Sequence, residues 1–234
     1  MLRPMEADTA AATARAAAAA AAVELVEPGM TIGLGSGRAV WEVARLLGAR
    51  GGVQAAVASD RTAELAQDLG ISVVELDGSL ELDLALDGAD EIDPELRLIK
   101  GGGGALLREK IVISAARRFV VVAETPKRVE RLGQHFRLPV EVVRFAWRDT
   151  RRRLRPLLPD AVLRAADGEP YVTDEGHHIL DCVLAADADP DALNHQLKDV
   201  PGVVEHGLFI GLAERALLGR PDGGVETLEA APRR

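Results

Sequence analysis

Through the first half of this chain, short apolar runs alternate with longer amphipathic stretches. The runs "MTIGLGSG", "VQAAVAS", "ISVVEL", "LDLALDGAD" and "FVVVAE" end at glycine or at acidic residues and read as buried strands. Between them, "RAVWEVARLLGA", "DRTAELAQDLG" and "ALLREKIVISAARR" space their apolar residues three and four apart, as helices do. Strands alternating with helices of this kind predict a parallel sheet in an α/β domain. The alanine-rich stretch before Val23 predicts a first helix that ends by Pro28-Gly29.

The pattern changes near residue 133. "LPVEVVRFA" reads as a strand, "WRDTRRRLRPLL" as a basic amphipathic helix and "AVLRAA" as a short strand. "PYVTDEGHHILDCVLA" reads as two strands joined by the turn Asp174-Glu175-Gly176, "DPDALNHQLKDV" as a helix and "VVEHGLFIG" as a strand. That order is a small split βαβ unit. The expected fold is therefore a Rossmann-like parallel α/β domain with a second, smaller α+β domain of ferredoxin-like type. The expected division is 1–132 plus 205–234 for the first and 133–204 for the second, the tail from Gly207 returning to the first sheet.

Composition narrows the function. The chain has 234 residues, and with aromatics at only 3% its core must be built from Ala, Val, Leu and Ile. A net charge of −9 argues against nucleic acid as a partner, and the basic cluster Arg148–Arg155 reads as a solvated helix face. The single cysteine, Cys182, excludes an internal disulfide, sits in an apolar run as a core residue would, and suits a reducing compartment. No apolar segment approaches the ~20 residues a membrane span needs, and nothing before Pro28 has the layout of a signal peptide. The expectation is a cytoplasmic protein.

Two glycine-rich turns carry the candidate chemistry. "TIGLGSGRAV" places free backbone N–H groups at a helix start, which suits an anion. Arg38 stands where a dinucleotide fingerprint needs its third glycine, so a nicotinamide oxidoreductase is disfavoured. The residues alone leave phosphate binding and a plain tight turn both open. The stretch "DGADEIDPELRLIKGGGGALLREK" packs Asp87, Asp90, Glu91 and Asp93 into seven residues, then Lys100, four glycines and Glu109. Gly101 to Gly104 precede a helix, so their N–H groups can wrap an oxyanion, with Lys100 at the mouth of the cradle. Glu109 lies on a partly apolar helix stripe and is either a general base or a surface carboxylate paired with Arg108 or Lys110. Asp87 and Asp90 sit at the end of a strand, where open α/β sheets place their sites. Glu91, Asp93 and Glu95 read as a solvated turn.

"LDGADEIDPELRLIKGGGGALLREKIV" resembles the signature of the ribose-5-phosphate isomerase A family. "VVAETPKRVERLG", "LPVEVVRFA", "TDEGHHILDC" and "PGVVEHGLFIGLAER" resemble further segments of that family, in order, so the likeness runs from about Val23 to Leu228. It implies interconversion of D-ribose 5-phosphate and D-ribulose 5-phosphate through an enediolate, with no cofactor and no metal, in a homodimer or homotetramer. It places the general base on Glu109, with Lys100, Asp87 and Asp90 as further catalytic residues. It places substrate contacts on Asp87, Gly88, Ala89 and Asp90, on Lys100, Gly101, Gly102 and Gly103, and on Lys127. The family's phosphate turn, G-x-G-T-G-S-T, falls on Ser36, Gly37, Arg38 and Ala39, where one hydroxyl is kept and two are replaced. Arg15 falls where the family has a lysine in its first helix. A phosphosugar sensor without catalysis is the alternative on the same fold, and an intact Glu109, Lys100 and Asp87 count against it.

Overall fold

The computed structural model describes residues 4–229, which form two compact units. The first takes residues up to Ala89, Arg108–Arg128 and those from Leu212 on; the second takes Asp90–Leu107 and Val129–Gly211.

In the first unit, α1 (Pro4–Val23) leads to β1 (Thr31–Leu34), α2 (Arg38–Arg50), β2 (Gln54–Val57), α3 (Asp60–Asp68), β3 (Ser72–Val73) and β4 (Leu84–Asp87). The second unit then takes β5 (Glu91–Ile92) and β6 (Leu98–Ile99), before α4 (Leu106–Ser114) and β7 (Phe119–Glu124). It continues with β8 (Leu138–Val142), α5 (Trp147–Leu154), β9 (Ala161–Leu163), β10 (Ala165–Ala166), β11 (Glu169–Pro170), β12 (His178–Cys182), α6 (Pro190–Gln196), β13 (Val203–His206) and β14 (Leu208–Phe209). The hairpin β15 (Arg215–Gly219) and β16 (Val225–Glu229) returns to the first unit.

The first unit is a seven-stranded sheet of order β16-β15-β7-β4-β1-β2-β3. Every pairing is parallel except the terminal β15–β16 hairpin. Its central strands are apolar on both faces, as a parallel sheet covered by helices requires: Phe119–Ala123 of β7 are all buried. From α2, Val40, Val43, Ala44 and Leu47 point inward at helical spacing. The alanines of α1 permit close approach: a Cβ on Gly219 of β15 would lie 1.8 Å from the Ala14 carbonyl oxygen. From β1 the chain steps outward to β2 and β3, then returns to the other side of β1 with β4. The β1–β4 pair is thus the switch point beyond whose carboxyl ends α/β sheets bind ligands.

In the second unit, β8-α5-β9-β12-α6-β13 builds a four-stranded antiparallel sheet of order β13-β8-β12-β9, the expected split βαβ arrangement. Leu138, Val140, Val142, Leu154, Leu180 and Leu197 fill its core. Cys182 joins them, and burial pushes its thiol up to about 12, as expected of an inert core residue. The arginines of α5 are solvated, with Arg152 and Arg153 both pairing with Asp149. Among the described residues no helix is long and apolar enough to cross a membrane.

Three expectations change. The Asp174–Gly176 turn forms, closed by the Thr173 N–H on the His177 carbonyl at 3.0 Å, but Tyr171–Thr173 before it is not a strand. Pro170 has no N–H to donate, and the Tyr171 and Thr173 hydroxyls bond to Gly103 O and Glu141. Strands β5 and β6, with β14, form a three-stranded sheet too short to carry a periodic signal. Glu91 and Asp93 are not solvated but buried, at 1% and 0% exposure. The Glu91 carboxylate accepts from the backbone N–H groups of Gly133, His135 and Phe136 at 2.5, 2.5 and 2.8 Å. Asp93 accepts from the Glu95 and Arg97 N–H groups and from Arg97 Nε at 2.6 Å. Charge-assisted bonds to amides offset the desolvation of both acids; only Glu95, with a side chain 63% exposed, fits the solvated turn.

Glu91→Gln removes the charge that three amides converge on. The expected loss is about 1.5–3 kcal/mol, a fall of about 3–12 °C in melting temperature for a chain of this size. An unchanged melting temperature would remove Glu91 from the account of stability.

Candidate active site

Strands β7, β4 and β1 are neighbours, and each delivers candidate residues at its carboxyl end. After β1, Gly35 receives its bond from the chain itself, its N–H donating to the Leu86 carbonyl at 3.0 Å. Asp87, the last residue of β4, is fully buried. Its Oδ1 accepts from the Gly88 N–H at 2.7 Å and the Ser36 N–H at 3.3 Å. A Cβ on Gly35 would lie 1.8 Å from the Asp87 carboxyl carbon, so the glycine is what makes room for this acid. Lys127 closes the 3₁₀ turn Thr125–Lys127 after β7 and is partly exposed.

The turn passes into α2 at Gly37, whose φ of 104° suits glycine, and no side chain caps the helix. The Ser36 hydroxyl lies 2.9 Å from that of Ser59, the N-cap of α3. Ala39 packs against the core, leaving only its backbone to the turn. Arg38 is exposed at the first position of α2. Asp60 is taken by Arg108 at 2.6 Å and Glu42 by Arg45 at 2.8 Å, and among the described residues Arg38 forms no ion pair. A cavity of about 500 Å³ between α1 and α2 is lined by Thr13, Arg15, Arg38, Trp41, Glu42 and Arg45. Arg15 reaches Glu124 at 2.7 Å. Three guanidinium groups around one cavity beside a helix N-terminus suit an anion.

Glu109, in the first turn of α4, is only 4% exposed. Glu109 is therefore not a surface carboxylate.

The second unit supplies the other cluster. Lys100 directly follows β6 and is 2% exposed, with Nζ 5.4 Å from the centroid of the Phe209 ring. The glycine run is a turn closed by the Gly104 N–H on the Gly101 carbonyl at 3.0 Å. Asp90 Oδ2 accepts the Gly102 N–H at 2.8 Å. The protein itself needs most of these glycines bare. A Cβ on Gly102 would meet Asp90 Oδ1 at 2.8 Å, one on Gly104 would meet the Tyr171 hydroxyl at 2.2 Å, and one on Gly101 would meet Leu106 at 2.8 Å. Gly103 differs: it is exposed, and nothing lies within 4 Å of where its Cβ would be. Sequence reasoning missed the residues behind this turn, Arg164 and Tyr171, which donate to its carbonyls. The only signal was that Tyr171 is the single tyrosine of the chain. Among the described residues no group of three or more His, Cys, Asp or Glu is placed to hold a metal ion.

The fold is that of an α/β enzyme, with a buried acid, Asp87, at the carboxyl edge of its parallel sheet. A family model described as ribose 5-phosphate isomerase A (phosphoriboisomerase A) matches residues 54–223. A relative from Roseiflexus castenholzii, "Ribose-5-phosphate isomerase A", is 54% identical over 212 residues, covering 88% of this chain and 91% of that one. Among solved structures, ribose 5-phosphate isomerase A from Methanocaldococcus jannaschii superposes with a TM-score of 0.86 at 38% identity, covering 92% of this chain and 97% of the other. A D-ribose-5-phosphate isomerase solved in complex with phospho-erythronic acid does so with a TM-score of 0.87 at 34% identity, covering 92% and 97%. The chain belongs to the ribose 5-phosphate isomerase A family and is an isomerase.

Gly35 and Gly103 should respond oppositely to a methyl group. Gly35→Ala forces the Asp87 carboxylate aside, which at the usual ~1–3 kcal/mol for overpacking should lower the melting temperature by several degrees. Gly103→Ala meets open space and should leave it unchanged. Equal melting temperatures for the two variants would contradict the packing described here.

Proposed function

We propose that this chain interconverts D-ribose 5-phosphate and D-ribulose 5-phosphate with Glu109 as the base. The isomerisation is redox-neutral: C1 is reduced as C2 is oxidised, so a proton taken from C2 and returned to C1, with the O2 hydroxyl proton passing to O1, completes it without an external oxidant. The observation that carries the reading is the burial of Glu109 in a helix that directly follows four glycines. A buried carboxylate is held at one position, as proton abstraction from carbon requires.

The other residues take roles by their chemistry. Removal of the C2 proton puts negative charge on oxygen, and Lys100 with the glycine-turn N–H groups stabilises that enediolate. Asp87 assists opening of the furanose ring, which must precede deprotonation. Asp90 orients the glycine turn through Gly102, and Gly88 and Ala89 contact the sugar with their backbone. The phosphate is taken at the α2 N-terminus by Ser36, Gly37, Arg38 and the Ala39 backbone, with Lys127 as a further contact. Arg38 replaces two hydroxyls of the family pattern with a guanidinium that can grip phosphate through two parallel bonds. Phospho-erythronic acid, carried by one solved relative, is itself a phosphorylated sugar acid. We read the protein as cytoplasmic, in keeping with its single buried cysteine, and as a homodimer or homotetramer, as the family likeness implies.

Glu109→Gln keeps shape and hydrogen bonding but cannot accept the C2 proton. Its kcat for ribose 5-phosphate should fall at least the ~10²–10⁴-fold expected for a positioned general base, with KM little changed. A variant that keeps wild-type kcat would mean another group is the base.

Arg38→Ala should weaken ribose 5-phosphate binding by roughly 10- to 100-fold, the equivalent of ~1.5–3 kcal/mol for a hydrogen bond to a charged group. Slow turnover of unphosphorylated ribose should barely change. Equal losses in kcat/KM for the two sugars would show that Arg38 does not hold the phosphate.

A further inference from the structure

We propose that Arg164 and Tyr171 are positioning residues that grip the carbonyl side of the Gly101–Gly104 turn and so aim the Gly103 N–H at the substrate. The inference rests on the isomerase reading above and adds to it the parts that hold the oxyanion donor still.

Three successive carbonyls of the turn are fixed from behind. Arg164 Nη1 donates to Gly101 O at 2.8 Å and to Gly102 O at 3.2 Å, and the Tyr171 hydroxyl donates to Gly103 O at 3.2 Å. In a trans peptide the C=O and the following N–H point in opposite directions, so fixing a carbonyl fixes the next amide. The Gly102 N–H, opposite Gly101 O, goes to Asp90. The Gly104 N–H, opposite Gly103 O, closes the turn on Gly101 O. The Gly103 N–H, opposite Gly102 O, finds no acceptor among the described residues, at an exposed position with open space where a side chain would be. It is a donor held in place and left available.

The clamp is itself rigid. Arg164 directly follows β9, and its own N–H donates to the Ile179 carbonyl of β12 at 2.8 Å. Its guanidinium is anchored by Asp181 of the same strand, Nε at 2.9 Å and Nη2 at 2.6 Å, so one edge of the fork grips the sheet and the third nitrogen grips the turn. The Tyr171 N–H donates to the Arg164 carbonyl at 2.9 Å, and its ring sits where a Gly104 side chain would be. Burial pushes the Tyr171 phenol up, which keeps it a donor at neutral pH. Four glycines are otherwise the least ordered backbone available. An oxyanion donor helps only when it is already in place as charge develops, and the clamp supplies that order from residues more than sixty positions away.

The test uses the full chain and two variants, reading kcat, KM for ribose 5-phosphate and melting temperature. Tyr171→Phe removes one hydroxyl and keeps the ring; kcat should fall about 3- to 10-fold, the equivalent of one neutral hydrogen bond. Arg164→Lys keeps the charge but cannot hold Asp181 and two carbonyls at once; kcat should fall about 10- to 100-fold, approaching the ~10²–10³-fold of a lost oxyanion donor. KM should stay within about 2-fold in both, because the contact strengthens as the enediolate forms. Should Arg164→Lys fail to fold, Tyr171→Phe decides alone. Variants that match an active wild type overturn the clamp while leaving the isomerase reading intact, and losses in kcat that merely follow the melting temperature overturn it too. A wild type that does not convert ribose 5-phosphate overturns both.

Discussion

The Asp87 carboxylate occupies the space that a side chain at residue 35 would fill, and the carboxyl end of the sheet depends on that substitution of one group for another. Strands β1 and β4 are paired in parallel with Leu34 opposite Leu86, so the residues that follow them must share one small volume. A bare backbone on one strand lets a charged side chain enter from the other. Burying a carboxylate is costly unless amides meet it, and here the Ser36 and Gly88 N–H groups do so. The same two strands flank the switch point, so the acid, the turn into α2 and the exposed Arg38 follow from one packing solution.

The glycine run of the second unit applies the same device differently. Gly101, Gly102 and Gly104 are bare because protein atoms crowd them, whereas Gly103 is bare toward open space. Only the last is not explained by crowding within the described chain, which supports the substrate contact proposed for it. Chemistry that moves a proton between adjacent carbons needs a base, a way to spread negative charge and a dry site. In the proposed reading Glu109 is the base and Lys100 with the Gly103 amide spreads the charge; both side chains are buried.

Much of this was legible in the sequence. The apolar runs of β1, β2, β4 and β7 announce a parallel sheet because both their faces are covered, and the change of rhythm near residue 133 marks the split βαβ pattern. The order of acids, lysine and glycines pointed to the candidate site, while the likeness to the family supplied the roles proposed for Asp87 and Lys127. What stayed hidden depends on distant backbone. Glu91 and Asp93 looked like a hydrophilic turn, yet the amides that bury Glu91 come from residues 42 to 45 positions on. Arg164 meets the glycine turn from 63 positions away and Tyr171 from 68. No local spacing encodes such meetings. Strands β5 and β6, two residues each, are likewise below the length at which alternation can be read.

The central claim is that a proton, not a hydride, moves between C2 and C1 with no added cofactor. It is tested most directly by following ribose 5-phosphate by NMR with the purified chain in deuterated water, without nicotinamide or metal. The account predicts formation of ribulose 5-phosphate with solvent deuterium entering at C1 of the ketose and at C2 of the recovered aldose. No ketose, or ketose without deuterium at C1 alongside aldose without deuterium at C2, would contradict it.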